Sequence, residues 1–388
     1  MTIELINISH EIHWGLPIST YFYFTGMSAG SFIISSLYHV FGMKKFKPIS
    51  RIALILATVL LMVAPLNLIG DLQQYGRFIF TLFRRHITSP MSFGVYLLSI
   101  YPTLCIIEGW FMLRADMVRY SLSKKGFKAN LYKLVTLGQT DLSEKTLSRD
   151  KKITTILAAL GVPTALAVHG YTGYILGVVR ARGLWFTPMM PLTFLASAMV
   201  SGIGLLIILV WIMRKSFPDT KQIEDEVIPE LTKLMYISLI FDMALVFLEV
   251  TMRHYGPMEE REAMAFLIYG PFSFTFVAME SIFGKVIPFI ILTVVLAIPY
   301  LKYNKMWIFI SSLMVVIGVY FMRYNFVVGG QSLPRSGHEI LYYAFPYEHI
   351  AMIIGIFALA YFLFLLGLEF LPWNYKEIPS TPLEVVDK

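Results

Sequence analysis

The stretch Ile52-Ala-Leu-Ile-Leu-Ala-Thr-Val-Leu-Leu-Met-Val-Ala-Pro-Leu-Asn-Leu-Ile-Gly70 contains no charged residue. A helix rises about 1.5 Å per residue, so a run of this length crosses a hydrocarbon core of about 30 Å. Similar runs occupy 18–42, 91–113, 153–176, 189–213, 231–252, 271–300, 306–322 and 350–371. The 271–300 run is long, contains Glu280 and Lys285, and carries Pro288 and Pro299. Split in two, neither half would cross comfortably, so it counts as one span. The chain of 388 residues is 57% hydrophobic and 15% charged. Soluble domains carry about 25% charged residues, and so apolar a chain cannot cover a water-facing surface. The reading is an all-α integral membrane protein of about nine transmembrane helices.

The net charge of +7 could suggest nucleic acid, but its distribution points to a bilayer. Loops after spans 1, 3, 5 and 7, with the C-terminal tail, hold 22 of the 32 Lys and Arg, counting Lys233 at the edge of span 6. Membrane proteins collect Lys and Arg on the cytoplasmic side. This predicts an N-terminus outside, a cytoplasmic C-terminus and no nucleic-acid partner. The basic segment 114–152 is expected as an amphipathic loop on the inner surface. The single cysteine, Cys105, lies in an apolar run, which excludes a disulfide framework, a Cys-rich zinc site or an iron–sulfur cluster held by this chain. Two axial histidines at matching depth are also missing, which argues against haem. No metal site is expected.

A weak repeat divides the chain. Pro90-Met-Ser-Phe93 opens span 3 and Pro271-Phe-Ser-Phe274 opens span 7; Pro17 leads to Ser28-Ala29-Gly30, and Pro191 to Ser201-Gly202. The expected organisation is one four-helix bundle in 1–180, a second in 181–325, and an additional helix with a cytoplasmic tail in 326–388.

Charged groups inside a bilayer are costly and mark functional positions. Most unusual polar residues fall at the outer ends of spans: His13, Tyr21, Asp71, Arg77, Ser89, His169 and Tyr171. Such a constellation suits an amphipathic small molecule with a polar head. A quinone fits, because its oxygens need hydrogen-bond donors and its reduction takes up protons. Donors such as His, Tyr or Arg can meet its oxygens, and a His or carboxylate can relay its protons. Deeper carboxylates (Glu280, Asp242, Glu108 and Glu249) form either a proton relay or interhelical ion pairs.

Several motifs resemble the NrfD/PsrC family of quinone-interacting membrane subunits, including its HybB- and DsrP-like members. They are Pro17 to Gly30, Asp71-Leu-Gln-Gln-Tyr-Gly-Arg77, Thr88-Ser-Pro-Met-Ser-Phe-Gly94 and His169-Gly-Tyr-Thr-Gly173. The family's D-L-G-R-P-x-R-F keeps Asp71, Arg77 and Phe78 here but lacks the inner G-R-P, and Tyr21 stands where some relatives have His. Phe274 to Glu280 with Pro288 resembles the longer members. Arg323-Tyr-Asn-Phe-Val-Val-Gly-Gly-Gln331 resembles the sulfur-metabolism subset. The resemblance implies a quinone- or quinol-reactive subunit of a respiratory complex in the cytoplasmic membrane, with His169 and Asp71 expected to handle the quinone protons and Tyr21, Arg77, Tyr171, Ser89 and His13 to bind the head. It would exchange electrons between menaquinone, or another quinone, and a ferredoxin-like iron–sulfur subunit on the outer face, with proton translocation as an added capacity. Alternatives are the membrane subunit of a polysulfide reductase or hydrogenase complex, a secondary transporter, or a structural anchor.

Overall fold

Backbone groups in hydrocarbon must be satisfied within their own segment, and this chain satisfies them with helices. The structure, a computed structural model, describes residues 12–71, 76, 78, 80–83, 86, 89–216, 220–301, 303–333 and 340–374. In chain order the helices are α1 (Leu16–His39), α2 (Lys47–Asp71), the short α3 (Phe80–Phe83), α4 (Pro90–Ser123), α5 (Phe127–Val135), α6 (Glu144–Gly177), α7 (Met190–Ser216), α8 (Thr220–His254) and α9 (Met258–Tyr269). There follow a π-helix, π1 (Phe274–Val286), then α10 (Ile287–Ala297), α11 (Lys305–Tyr324), a second π-helix, π2 (Asn325–Gly329), α12 (Gly330–Ser332) and α13 (Tyr347–Phe370). Short 3-10 turns at Lys44–Phe46 and Pro299–Leu301 complete the set. No strand occurs among the described residues.

Eight helical segments among the described residues are long and apolar enough to cross a membrane. Every expected span is a long helix, but α1 is not among those eight. Its Ser, Thr and Gly residues lower its hydropathy, and its surroundings explain why they are tolerated. α1 is enclosed by α2, α6, α7, α11 and α13, and most of its length is buried. Its hydroxyls bond back along the helix: Ser19 Oγ to Gly15 O (3.1 Å), Thr20 Oγ1 to Leu16 O (2.9 Å) and Ser36 Oγ to Phe32 O (3.0 Å), a habit that keeps small polar residues helical in apolar surroundings.

α1, α2, α4 and α6 are taken as a first helix group and α7, α8, π1, α10 and α11 as a second, but α7 lies against α1 and α6 as extensively as helices lie within either group. α1 lies on α2 and α6, and α4 lies on α6 and α2; α7 lies on α8 and α11, while π1 packs on α11 and α10 on α8. The groups meet where α1 crosses α7. A Cβ at Gly30 would lie 2.3 Å from Ala198 O, and one at Gly202 would lie 2.7 Å from the Gly30 Cα. A second close crossing joins π1 to α11, where a Cβ at Gly284 would lie 2.5 Å from the Gly318 Cα. Without a hydrophobic drive between helices in lipid, small residues that let backbones touch supply the packing.

The basic segment 114–152 is not a loop. α4 continues to Ser123 and α6 begins at Glu144, leaving α5 as a short helix between them. Buried ion pairs make this possible: Arg114 Nε binds Asp150 (2.5 Å) and Arg51 binds Asp116, tying α4 to α6 and to α2. Only α5 has the expected surface character, with Phe127, Leu134 and nearby Leu137 exposed among lysines. Within the 271–300 span the helix is continuous from Phe274 to Ala297 and stops before Pro299; Pro288, which has no N–H to donate, lies near the start of α10, just after π1.

Candidate functional site

The predicted polar residues fall into three clusters. Asp71, at the end of α2, defines one end of the molecule, and Arg51 near the start of the same helix defines the other.

At the Asp71 end, Asp71 is within electrostatic reach of His13, just ahead of α1, and of Tyr343. The Leu16 N–H donates to Tyr343 Oη (3.2 Å), which is also 2.9 Å from His349 Nδ1. Gly15 is required here, since a Cβ would lie 2.2 Å from the same phenol oxygen. Burial and the Asp71 carboxylate hold the Tyr343 phenol above its ordinary pKa, against the Leu16 N–H. Tyr171 of α6 lies over α4 at Gly94, where a Cβ would sit 2.3 Å from its ring. Its hydroxyl donates to Met91 O (3.3 Å), and Tyr21 of α1 is within electrostatic reach. Ser89 precedes α4 without a side-chain cap bond. Arg77 lies outside the described residues. Tyr343 was not foreseen; it stands in the irregular segment before α13.

The second cluster holds His169, which is fully buried. Its Nε2 is 2.8 Å from Phe194 O and 3.1 Å from Arg323 Nη2. One nitrogen cannot both donate to a carbonyl and accept from a guanidinium, so the tautomer selects one of the two. Arg323 Nη2 also donates to Ser197 Oγ (2.7 Å) and Phe194 O (3.2 Å), and the guanidinium lies 3.9 Å from the Phe194 ring centroid. Gly26 of α1 completes the contact, since a Cβ there would lie 2.8 Å from the His169 ring. These contacts join α1, α6, α7 and α11. They do not include Asp71 or Tyr171, so the pair expected to work together faces different neighbours.

The third cluster carries most of the deep carboxylates. Lys285 Nζ is 3.2 Å from Asp242 Oδ2 and 3.3 Å from Glu280 Oε1, and Asn325 Nδ2 donates to Glu280 Oε2 (2.7 Å). Glu280 is on π1 and Asn325 on π2, so the two π-helices meet through this bond; such segments often accompany functional sites. Glu249 is bound by Arg253 (3.0 Å), whose guanidinium also donates to Gly183 O and Leu184 O (2.7 Å each). Between Glu249 and Glu280 lies a cavity of about 10 Å³, room for roughly one water. Glu108 stands apart in the first group, on α4.

The 323–331 motif is a set of mechanical ties. Arg323 holds α7, Asn325 holds Glu280, and Gln331 binds Trp14 twice, accepting from its N–H (3.1 Å) and donating to its carbonyl (2.7 Å). A Cβ at Gly330 would lie 1.8 Å from Trp185 Nε1, which donates to Phe326 O. Arg323, Asn325 and Gln331 were visible in the sequence as a motif, but their partners were not.

A family model described as "Polysulphide reductase, NrfD" matches residues 4–334. A selenate reductase subunit from Mesobacillus selenatarsenatis is 32% identical over 83% of this chain and 75% of its own length. An Hdr-like menaquinol oxidoreductase integral membrane subunit from Archaeoglobus fulgidus is 26% identical, covering 98% of this chain and 89% of its own. A polysulfide reductase component from Wolinella succinogenes is 27% identical, covering 85% and 97%.

Proposed function

The chain belongs to the NrfD polysulphide reductase family, and on that premise we propose that it is the quinone-reactive membrane subunit of a respiratory oxidoreductase, with its quinone site at the Asp71 end. One observation supports the assignment: two pairs, Asp71 with His13 and Tyr171 with Tyr21, lie toward the same end of the helices, where α1 and α4 begin and α2 and α6 finish. Two phenols and an imidazole can donate to a quinone's oxygens, as the carboxyl group can when protonated. The relative named for menaquinol supports menaquinone as the substrate.

A quinone accepts two electrons and two protons on reduction to its quinol. In this reading Asp71 and His13 hand protons to, or take them from, the ring oxygens, while Tyr171 and Tyr21 hold the head by hydrogen bonds. Arg77 and Ser89 are the further residues proposed to bind the head. His169, packed between Arg323 and Phe194 and bonded through Nε2 to one of them, fixes α6 against its neighbours and so positions Tyr171. The electrons pass to or from a ferredoxin-like iron–sulfur subunit at the same end, on the outer face of the cytoplasmic membrane, with the C-terminus cytoplasmic. The 323–331 motif supports a role in sulfur metabolism, within a complex that couples electron transfer to proton movement.

The test is titration of the purified complex with a fluorescent menaquinol analogue. Asp71→Asn and Tyr171→Phe are expected to weaken binding by about tenfold each, the worth of one or two hydrogen bonds. Unchanged affinity in both would overturn the assignment.

A further inference from the structure

α4 presents Gly94, Leu97, Tyr101, Cys105, Glu108, Met112 and Ala115 at spacings of three and four, which puts them on one face. At its start this face meets Tyr171. At its far end Met112 and Ala115 line a cavity of about 280 Å³ with His39, Arg51, Asp150 and Lys151. On α1, Tyr21, Ser28, Ser31, Ser35 and Tyr38 follow a matching stripe from the Asp71 end toward the same cavity. The two stripes touch through Tyr101, whose ring meets Phe32 (5.5 Å) and which interacts with Ser28, Cys105 and Glu108.

The middle of these stripes is polar and sparsely partnered. The Tyr101 hydroxyl has Ser28 and Cys105 beside it, while both Glu108 carboxyl oxygens and the Ser31 and Ser35 hydroxyls are buried without a hydrogen-bond partner among the described residues. At the cavity, His39 Nε2 is in the same state. Each orphaned polar group costs about 1–3 kcal/mol, and native interiors hold few. Groups of this kind in native interiors are commonly met by ordered water, which makes about three bonds to them, and the cavity at the end of both stripes is large enough to hold water.

We propose that this seam is a hydrated proton route from the Arg51 end to the quinone site, with Glu108 as its carrier. The inference rests on the quinone reading above. During quinone reduction two electrons arrive from the redox partner at the Asp71 end, and two protons are needed at the ring oxygens. Glu108 releases a proton toward the Tyr101 and Ser28 hydroxyls, through water to Tyr21 and Asp71, and regains one from water in the cavity. Quinol oxidation reverses each transfer. Electrons and protons then enter from opposite ends, so turnover separates charge.

The complex, reconstituted in vesicles with a pH-sensitive dye on the Arg51 side, tests this. Glu108→Gln is expected to cut proton exchange on that side and quinone turnover at least tenfold, while menaquinol-analogue affinity and melting temperature stay unchanged. Glu108→Asp is expected to restore part of the exchange. Normal turnover and exchange in Glu108→Gln, with the analogue still bound, would overturn the route and leave the quinone site standing. Failure of the wild-type complex to bind the analogue would overturn both.

Discussion

Glu108 in the first helix group and the Asp242–Lys285–Glu280 set in the second both bury carboxyl groups, with opposite solutions. The second group neutralises its acids with Lys285 and adds Asn325 as a donor. The first gives Glu108 no protein partner among the described residues. A paired acid is held in one arrangement by its neighbours, whereas an acid that meets only water is free to exchange a proton. The two sites thus meet the cost of burying acids differently, by pairing around Lys285 in one and, in our proposal, by proton exchange at Glu108 in the other.

Breaking the paired side should have the largest effect. Lys285→Ala leaves two buried carboxylates uncompensated and should cost about 3–5 kcal/mol, seen as a marked fall in the melting temperature of the detergent-solubilised complex. Next is Arg323→Lys, which keeps the charge but cannot reproduce a guanidinium that meets His169, Phe194 O and Ser197 together. It should cost about 2–3 kcal/mol, about one to two lost buried hydrogen bonds, by the same measurement. Gly202→Val would force α1 from α7 and should cost about 1–3 kcal/mol, read as faster proteolysis of the assembled complex. The smallest stability effect belongs to Glu108→Leu. Removing an orphaned acid should leave stability unchanged or raise it by about 1 kcal/mol, while turnover falls. A loss of stability in Glu108→Leu as large as in Lys285→Ala would erase the contrast between the groups.

Much of this was legible in the sequence because bilayer crossing leaves a long apolar signature. Each long helix lies where an apolar run predicts it. The ends of α4 and α6 were not legible, because they depend on Arg114 meeting Asp150, a partner 36 residues away. The same holds at the site. Asp71, His13, Tyr21 and Tyr171 stand out as polar residues at span ends, and alternating helix directions put them toward one end of the fold as two pairs, Asp71 with His13 and Tyr171 with Tyr21. The binding of His169 by Arg323 spans 154 positions, and no local pattern announces it. Tyr343 belongs to a segment without periodicity, so its place beside Gly15 and Leu16 emerges only from packing. Glu108 was visible as a charge in a span, yet its lack of a partner is a property of the folded bundle alone.

The most direct measurement is redox-induced infrared difference spectroscopy of the complex while its quinone is cycled. The expected result is a carboxyl signal that vanishes in Glu108→Gln and persists in Glu280→Gln. A signal that survives Glu108→Gln and is lost in Glu280→Gln would contradict the assignment of Glu108 as the proton carrier.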